Sequence, residues 1–95
     1  MHIISKKKIE RFSKKYRNSR VPLLEWYKIT KNVDIQNHAE LQSLFPSADL
    51  VGRKTVFNIG GNKFRLIVRV NFLYKKVFIL HILTHAEYDR GKWKE

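Results

Sequence analysis

Lys54-Thr55-Val56-Phe57-Asn58-Ile59, then Gly60-Gly61-Asn62, then Lys63-Phe64-Arg65-Leu66-Ile67-Val68-Arg69-Val70-Asn71 is the stretch that decides the fold. Two runs with period-two hydrophobicity flank a turn of Gly and Asn, residues that take positive φ at little steric cost. They predict a β-hairpin with strands at 54–59 and 63–71. Leu73 to Lys76 reads as the next turn and Val77 to Leu83 as a third strand. Side chains alternate across a sheet. Phe64, Leu66, Val68 and Val70 therefore point one way, and Lys63, Arg65, Ile67, Arg69 and Asn71 the other. The first set is wholly apolar and is expected to be buried. The second puts three cations on the opposite face. Strands lie only about 4.8 Å apart, so these cations can form a compact site that meets phosphates through charge-assisted bonds. The alternative is an ordinary solvated sheet face. Arg65 stands out because it sits mid-strand, where such a face more often takes Thr or Ser.

Upstream of the hairpin the period is helical. Ile9, Phe12 and Tyr16 recur at three- and four-residue spacing, with Lys7, Lys8, Arg11, Lys14 and Lys15 mostly off that stripe. This predicts an amphipathic basic helix from Ser5. Asn18-Ser19 breaks it. Ser19 is placed to cap a second helix, with Pro22 in its first turn and Leu23, Leu24, Trp26, Tyr27 and Thr30 carrying it to about Lys31. Asn37 with Glu40 resembles a capping box, opening a short third helix that ends before Pro46. His2–Ile4 is a candidate short strand. Thr84-His85-Ala86-Glu87 reads as T-x-x-E, the start of a short last helix. Helices first and an antiparallel meander after them predict an α+β fold, with the N-terminal helices packed on one face of a small sheet.

Ninety-five residues make one domain, 1–95, by length. The hydrophobic fraction of 43% is too high for a disordered chain of this charge. There is no Cys, which excludes disulfides and thiolate metal sites. The His residues at 2, 38, 81 and 85 lack ligand-like helical spacing and carboxylates are few, so neither metal nor cofactor is expected. No apolar run approaches the roughly 20 residues of a membrane helix, and no signal-peptide core follows the first charges. The expected location is the cytoplasm, with no membrane partner.

Twenty Lys and Arg face eight Asp and Glu, a net charge of +12. The net charge is +7 over residues 1–20, −2 over 21–52, +7 over 53–76 and zero over 77–95. Two separate blocks look like an anion-binding footprint more than uniform solubilisation. Nucleic acid, an acidic protein or a membrane surface would each compensate such charge, and a merely solvated helix is the bland reading of the first block.

Three segments carry a resemblance: Phe45-Pro46-Ser47-Ala48-Asp49, Val56 to Val68, and Thr84-His85-Ala86-Glu87-Tyr88-Asp89. In this order they resemble the HigB toxins, within the RelE-like family of type II toxin–antitoxin systems, over about residues 1–90. The resemblance implies a RelE-like fold and a ribosome-dependent mRNA endonuclease (an mRNA interferase) acting in the ribosomal A site. It implies a helix-turn-helix, HigA-like antitoxin, and operator DNA bound only through the antitoxin complex. Phe64-Arg65-Leu66-Ile67-Val68 resembles the strand supplying a phosphate-binding Arg. His85 and Tyr88 resemble positions where these toxins place acid–base or base-stacking residues.

RNA cleaves when its 2′-OH is deprotonated and aimed at the adjacent phosphorus. That requires a base, an acid for the leaving 5′ oxygen and cations for the added charge, with no metal needed. Arg65, His85 and Tyr88 are the catalytic candidates: phosphate clamp, proton shuttle and base-stacking or proton-transfer residue. Lys63 and Arg69 are candidates for flanking phosphates. Lys6, Lys7, Lys8, Arg11, Lys14 and Lys15 are candidates for docking on ribosomal RNA. Structural alternatives stand beside each. Arg69 could pair with a carboxylate, Lys63 decorate the turn, His85 order its helix and Tyr88 pack on the sheet edge. Glu87 reads as a cap, Asn58 and Asn62 as turn-shaping residues, and Trp26 and Tyr27 as core or antitoxin contacts. His81 shares a face with Val77 and Ile79 and reads as a half-buried residue, with reach to the same site as its alternative. Two other functions remain open: a non-enzymatic toxin of this fold acting on a protein such as DNA gyrase, and a plain RNA-binding module.

Overall fold

In the computed structural model, which describes residues 1–94, the Gly-rich turn joins β3 (Lys54–Ile59) to β4 (Phe64–Asn71). Gly60 and Gly61 take φ of 63° and 69°, where a Cβ would be strained. Asn62 keeps negative φ, so the two glycines alone supply the left-handed backbone. Lys63 belongs to this turn, one residue short of the strand in which its sequence places it. β5 (Lys76–Thr84) follows, and the sheet has the order β1-β5-β4-β3-β2.

The outer two strands depart from a simple meander. β1 (His2–Ile4) lies parallel to β5, with Ile3 opposite Val77. β2 (Asp49–Val51) pairs antiparallel with β3. β2 is three residues long and largely exposed, so it has no alternation from which to be read.

The helices α1 (Lys6–Lys15), α2 (Arg20–Lys31) and α3 (His38–Leu44) cover one face. Ile9, Leu23, Trp26 and Leu41 pack there with Leu66, Val68, Val77 and Ile79. Full burial of each such aliphatic side chain contributes about 1.5–3 kcal/mol before entropy is subtracted. The predicted apolar row of β4 is therefore the core row. The α1–α2 corner is a turn of 3-10 helix at Arg17–Ser19. Ser19 stands at the start of α2 but makes no side-chain cap; its hydroxyl donates back to the Tyr16 carbonyl at 2.6 Å. Asn37 does cap α3, accepting from the Glu40 N–H at 2.9 Å, while Glu40 reaches one residue further back to the Gln36 N–H. At the C-terminal end Thr84 and Glu87 form the predicted reciprocal box at the start of α4 (His85–Asp89).

Two features set up the helix-free face. A β-bulge interrupts the β4–β5 ladder: Ile67 pairs with His81 but Val68 pairs with Ile79, leaving Leu80 as the extra residue. The bulge reverses the alternation, so His81 lies opposite Ile67 and away from Val77 and Ile79, contrary to the simple period-two reading. The chain after α4 then folds back as a short turn at Lys92–Lys94. It lays Trp93, 4% exposed, over Val56 and Ile67, with Val51, Leu83 and Tyr88 around it. The face expected to be open and basic thus has a small second core at its centre.

Candidate nucleic-acid interface

Arg65 is 7% exposed, on the face opposite the N-terminal helices. Its Nη1 donates to the carbonyls of Asn62 at 3.2 Å and Phe64 at 3.1 Å, and its Nη2 donates to the Asn62 side-chain oxygen at 3.1 Å. Its guanidinium lies 5.2 Å from the centre of the Tyr88 ring. Among the described residues no carboxylate pairs with it. An almost buried cation held only by neutral acceptors and a π face retains most of its pull on an anion. Asn62, assigned from sequence to turn shaping, therefore anchors the guanidinium as well.

Tyr88 arrives from the other direction. α4 is only five residues long, and its capping box fixes where it starts. The Tyr88 ring stacks on Trp93 at 5.0 Å with 12° between planes. Trp93 Nε1 donates to the Tyr88 carbonyl at 2.9 Å, and Lys54 Nζ donates to the Trp93 carbonyl at 2.6 Å. Arg65, Tyr88, Trp93 and Lys54 form a continuous layered set. Trp93 carried no assignment from sequence. An aromatic in a short charged tail has no periodicity to reveal its partner.

His85 is brought near neither ring of this set by any contact it makes. Its Nδ1 lies 2.9 Å from the Asp89 carboxylate one helical turn away, and both side chains are about half exposed. Among the described residues its Nε2 makes no hydrogen bond. Glu87 is held below its ordinary pKa of 4.5, chiefly by the Thr84 backbone N–H against the opposing effect of partial burial. It caps α4, as expected.

The remaining cations divide into groups. Lys63 is exposed, and its carbonyl accepts from the His85 N–H at 3.1 Å, which ties the turn to α4. Arg69 is exposed beyond Trp93 and lines a hollow with Arg53, Lys54 and Lys94. The row read as one basic strip is divided, because Trp93 covers Ile67 between Arg65 and Arg69. On α1, Lys6, Lys7, Lys8, Arg11, Lys14 and Lys15 are all exposed. Lys8, Arg11 and Lys15 line a groove of about 360 Å³ along Leu80–Leu83 of β5. Lys6 and Lys14 line a different one toward Arg20 and Leu24.

Comparison with known proteins gives this interface a context. Residues 19–91 match the family model of HigB toxins, described as the RelE-like toxic component of a toxin–antitoxin system. The chain is 38% identical over 93 residues to the mRNA interferase HigB of Escherichia coli O6:H1, covering 95% of this chain and 90% of that protein. It is 30% identical over 92 residues to the mRNA interferase toxin HigB of Escherichia coli K12, covering 94% and 88%, and equally so to the mRNA interferase HigB of Shigella flexneri. A basic α+β chain that matches over nearly its whole length, with the matched segment running from the start of α2 through α4, belongs to the HigB family of RelE-like toxins.

Proposed function

We propose that this chain is an mRNA interferase that cuts translated messenger RNA on the ribosome. One observation carries the reading: Arg65 is a nearly buried guanidinium on the helix-free face, stacked on Tyr88 and paired with no described carboxylate. A transition state that adds negative charge to a phosphate is what such a group stabilises. The 2′ oxygen attacks phosphorus, the bond to the 5′ oxygen breaks, and a proton passes to that leaving oxygen. The products are a 2′,3′-cyclic phosphate and a 5′-hydroxyl.

Arg65 is the phosphate clamp. Tyr88 holds its guanidinium, and with Arg65 and Trp93 against its ring it offers a base an edge-on contact. His85, with Nδ1 oriented by Asp89, presents Nε2 as a proton donor or acceptor. Lys63 and Arg69 bind phosphates on either side of the cut. Lys8, Arg11 and Lys15 dock on ribosomal RNA, with Lys6, Lys7 and Lys14 adding to the field. The site of action is the cytoplasm, and the antitoxin is a helix-turn-helix protein through which the pair binds its operator.

The test is expression without an antitoxin, followed by single-turnover cleavage on programmed ribosomes. The wild type should arrest growth and cut ribosome-bound mRNA. Arg65→Ala should fold and lose cleavage by about 100- to 1,000-fold, the cost of removing one electrostatic stabiliser. Growth arrest with intact mRNA would move the chain to a non-enzymatic toxin, and a fully active Arg65→Ala would remove the site assignment.

A further inference from the structure

The bulge at Leu80 exposes His81 on the Arg65 face, away from Val77 and Ile79. His81 lies opposite Ile67, and Leu83 lies opposite Arg65. His81 and Arg65 are therefore diagonal neighbours on one face, a relationship that spans about 7–8 Å. That is the separation of the two strand positions; from its own, the Arg65 guanidinium leans to the carbonyls of Asn62 and Phe64. The His81 side chain is exposed. It lines a hollow of about 210 Å³ with Leu83, Glu87, Arg90, Lys92 and Trp93, large enough for part of a nucleotide.

The bulge is itself held in place. Lys8 Nζ, from α1, donates to the Leu80 carbonyl at 3.0 Å. A β-bulge leaves its extra residue out of the ladder, and here the lysine occupies that carbonyl. This brings α1 and a positive charge alongside His81. Partial desolvation, then Lys54 on β3, then Lys8 hold the imidazole below its ordinary value of 6.5. Across the hollow stand Glu87 of α4 and, after it, Arg90 and Lys92; Arg11 and Lys15 of α1 line the adjoining groove.

We propose that His81 is the general base of the cleavage, taking the 2′-OH proton of a nucleotide seated between β5 and Trp93. The 2′ oxygen bonds to phosphorus as its proton moves to His81, while the bond to the 5′ oxygen breaks and that oxygen is protonated by a separate acid. His85, the proton carrier of the interferase reading, is left as that acid, its Nδ1 paired with Asp89. The assignment rests on the interferase reading and completes it, because that reading alone leaves the acid and base undistinguished. Two histidines in different surroundings divide the two proton transfers.

The experiment is single-turnover cleavage of mRNA on programmed ribosomes between pH 5 and 8, with wild type, His81→Ala, His81→Gln, His85→Ala and Arg65→Ala. The wild-type rate should fall on the acid side with a midpoint below 6.5. Both His81 variants should keep the wild-type urea midpoint, cut at least about 100-fold more slowly at neutral pH and lack that acid limb. Added imidazole should restore part of the His81→Ala rate, and His85→Ala should retain the acid limb. A His81→Ala protein that cuts at the wild-type rate, or keeps the limb, overturns the assignment while an inactive Arg65→Ala leaves the interferase reading standing. A wild type that cuts no ribosome-bound mRNA overturns both.

Discussion

Arg65 shows how one side chain is prepared for a charge that arrives only with substrate. Removing a guanidinium from water costs several kcal/mol unless its donors are satisfied, and here the satisfaction comes from two carbonyls, one amide oxygen and an aromatic face. None of these neutralises it. Asn62 is the adjustable part, because its own side chain is exposed while its amide oxygen holds Nη2. Asn62→Ala should leave the fold intact and slow cleavage about tenfold, the equivalent of one charge-assisted hydrogen bond of about 1.5 kcal/mol. Single-turnover rates beside a thermal melt would check this, and an unchanged rate would mean that the turn carbonyls alone hold the guanidinium. The residue type and the strand position of Arg65 were readable from its place among alternating apolar neighbours. Its burial was not, since it lies under the ring of Tyr88, which is itself stacked on Trp93 far along the chain.

At the scale of the element, α4 and the turn after it decide whether the site exists. Five residues make a helix too short to persist on its own, so α4 depends on its cap and on Trp93. Folding favours ionised Glu87, whose pKa lies below 4.5. That stabilisation is complete above the unfolded-chain value and is lost as pH falls through the lower folded value. Glu87→Ala should therefore cost about 1 kcal/mol at pH 7, as a lost cap does, and its deficit should shrink as pH drops below 4.5, read from urea midpoints at several pH values. Trp93→Ala should cost about 3–5 kcal/mol in urea denaturation, because Val56 and Ile67 lose their cover and Tyr88 its stacking partner. The same variant should be inactive even where it remains folded, since Arg65 would be held on one side only. T-x-x-E announced the cap of α4 plainly, whereas the bulge in β5 had no mark: Phe78 to Ile82 holds no Gly or Pro to betray a break in alternation.

Across the whole molecule the positive charge is distributed over surfaces with different orientations, and only part of it surrounds the site. The groove of Lys8, Arg11 and Lys15 runs along β5 beside His81, while Lys6 and Lys14 face away toward α2. Replacing Lys8, Arg11 and Lys15 together by Gln should weaken ribosome binding and flatten its dependence on log salt by about 2, at roughly 0.7 per lost phosphate contact. The same replacement of Lys6 and Lys14 should change the slope less; equal slopes for the two sets would mean that the field acts without regard to face. The amino-acid sequence by itself determined the α+β class, the hairpin about Gly60-Gly61, the apolar row that meets the helices and the caps at Asn37 and Thr84. Each of these follows from local periodicity or from bonds spanning three or four residues. Only the tertiary structure decided that Trp93 divides the basic face, that Tyr88 lies against Arg65 and that His81 turns toward them. Those outcomes depend on where distant segments meet, and on a single extra residue in one strand that reverses every side chain beyond it.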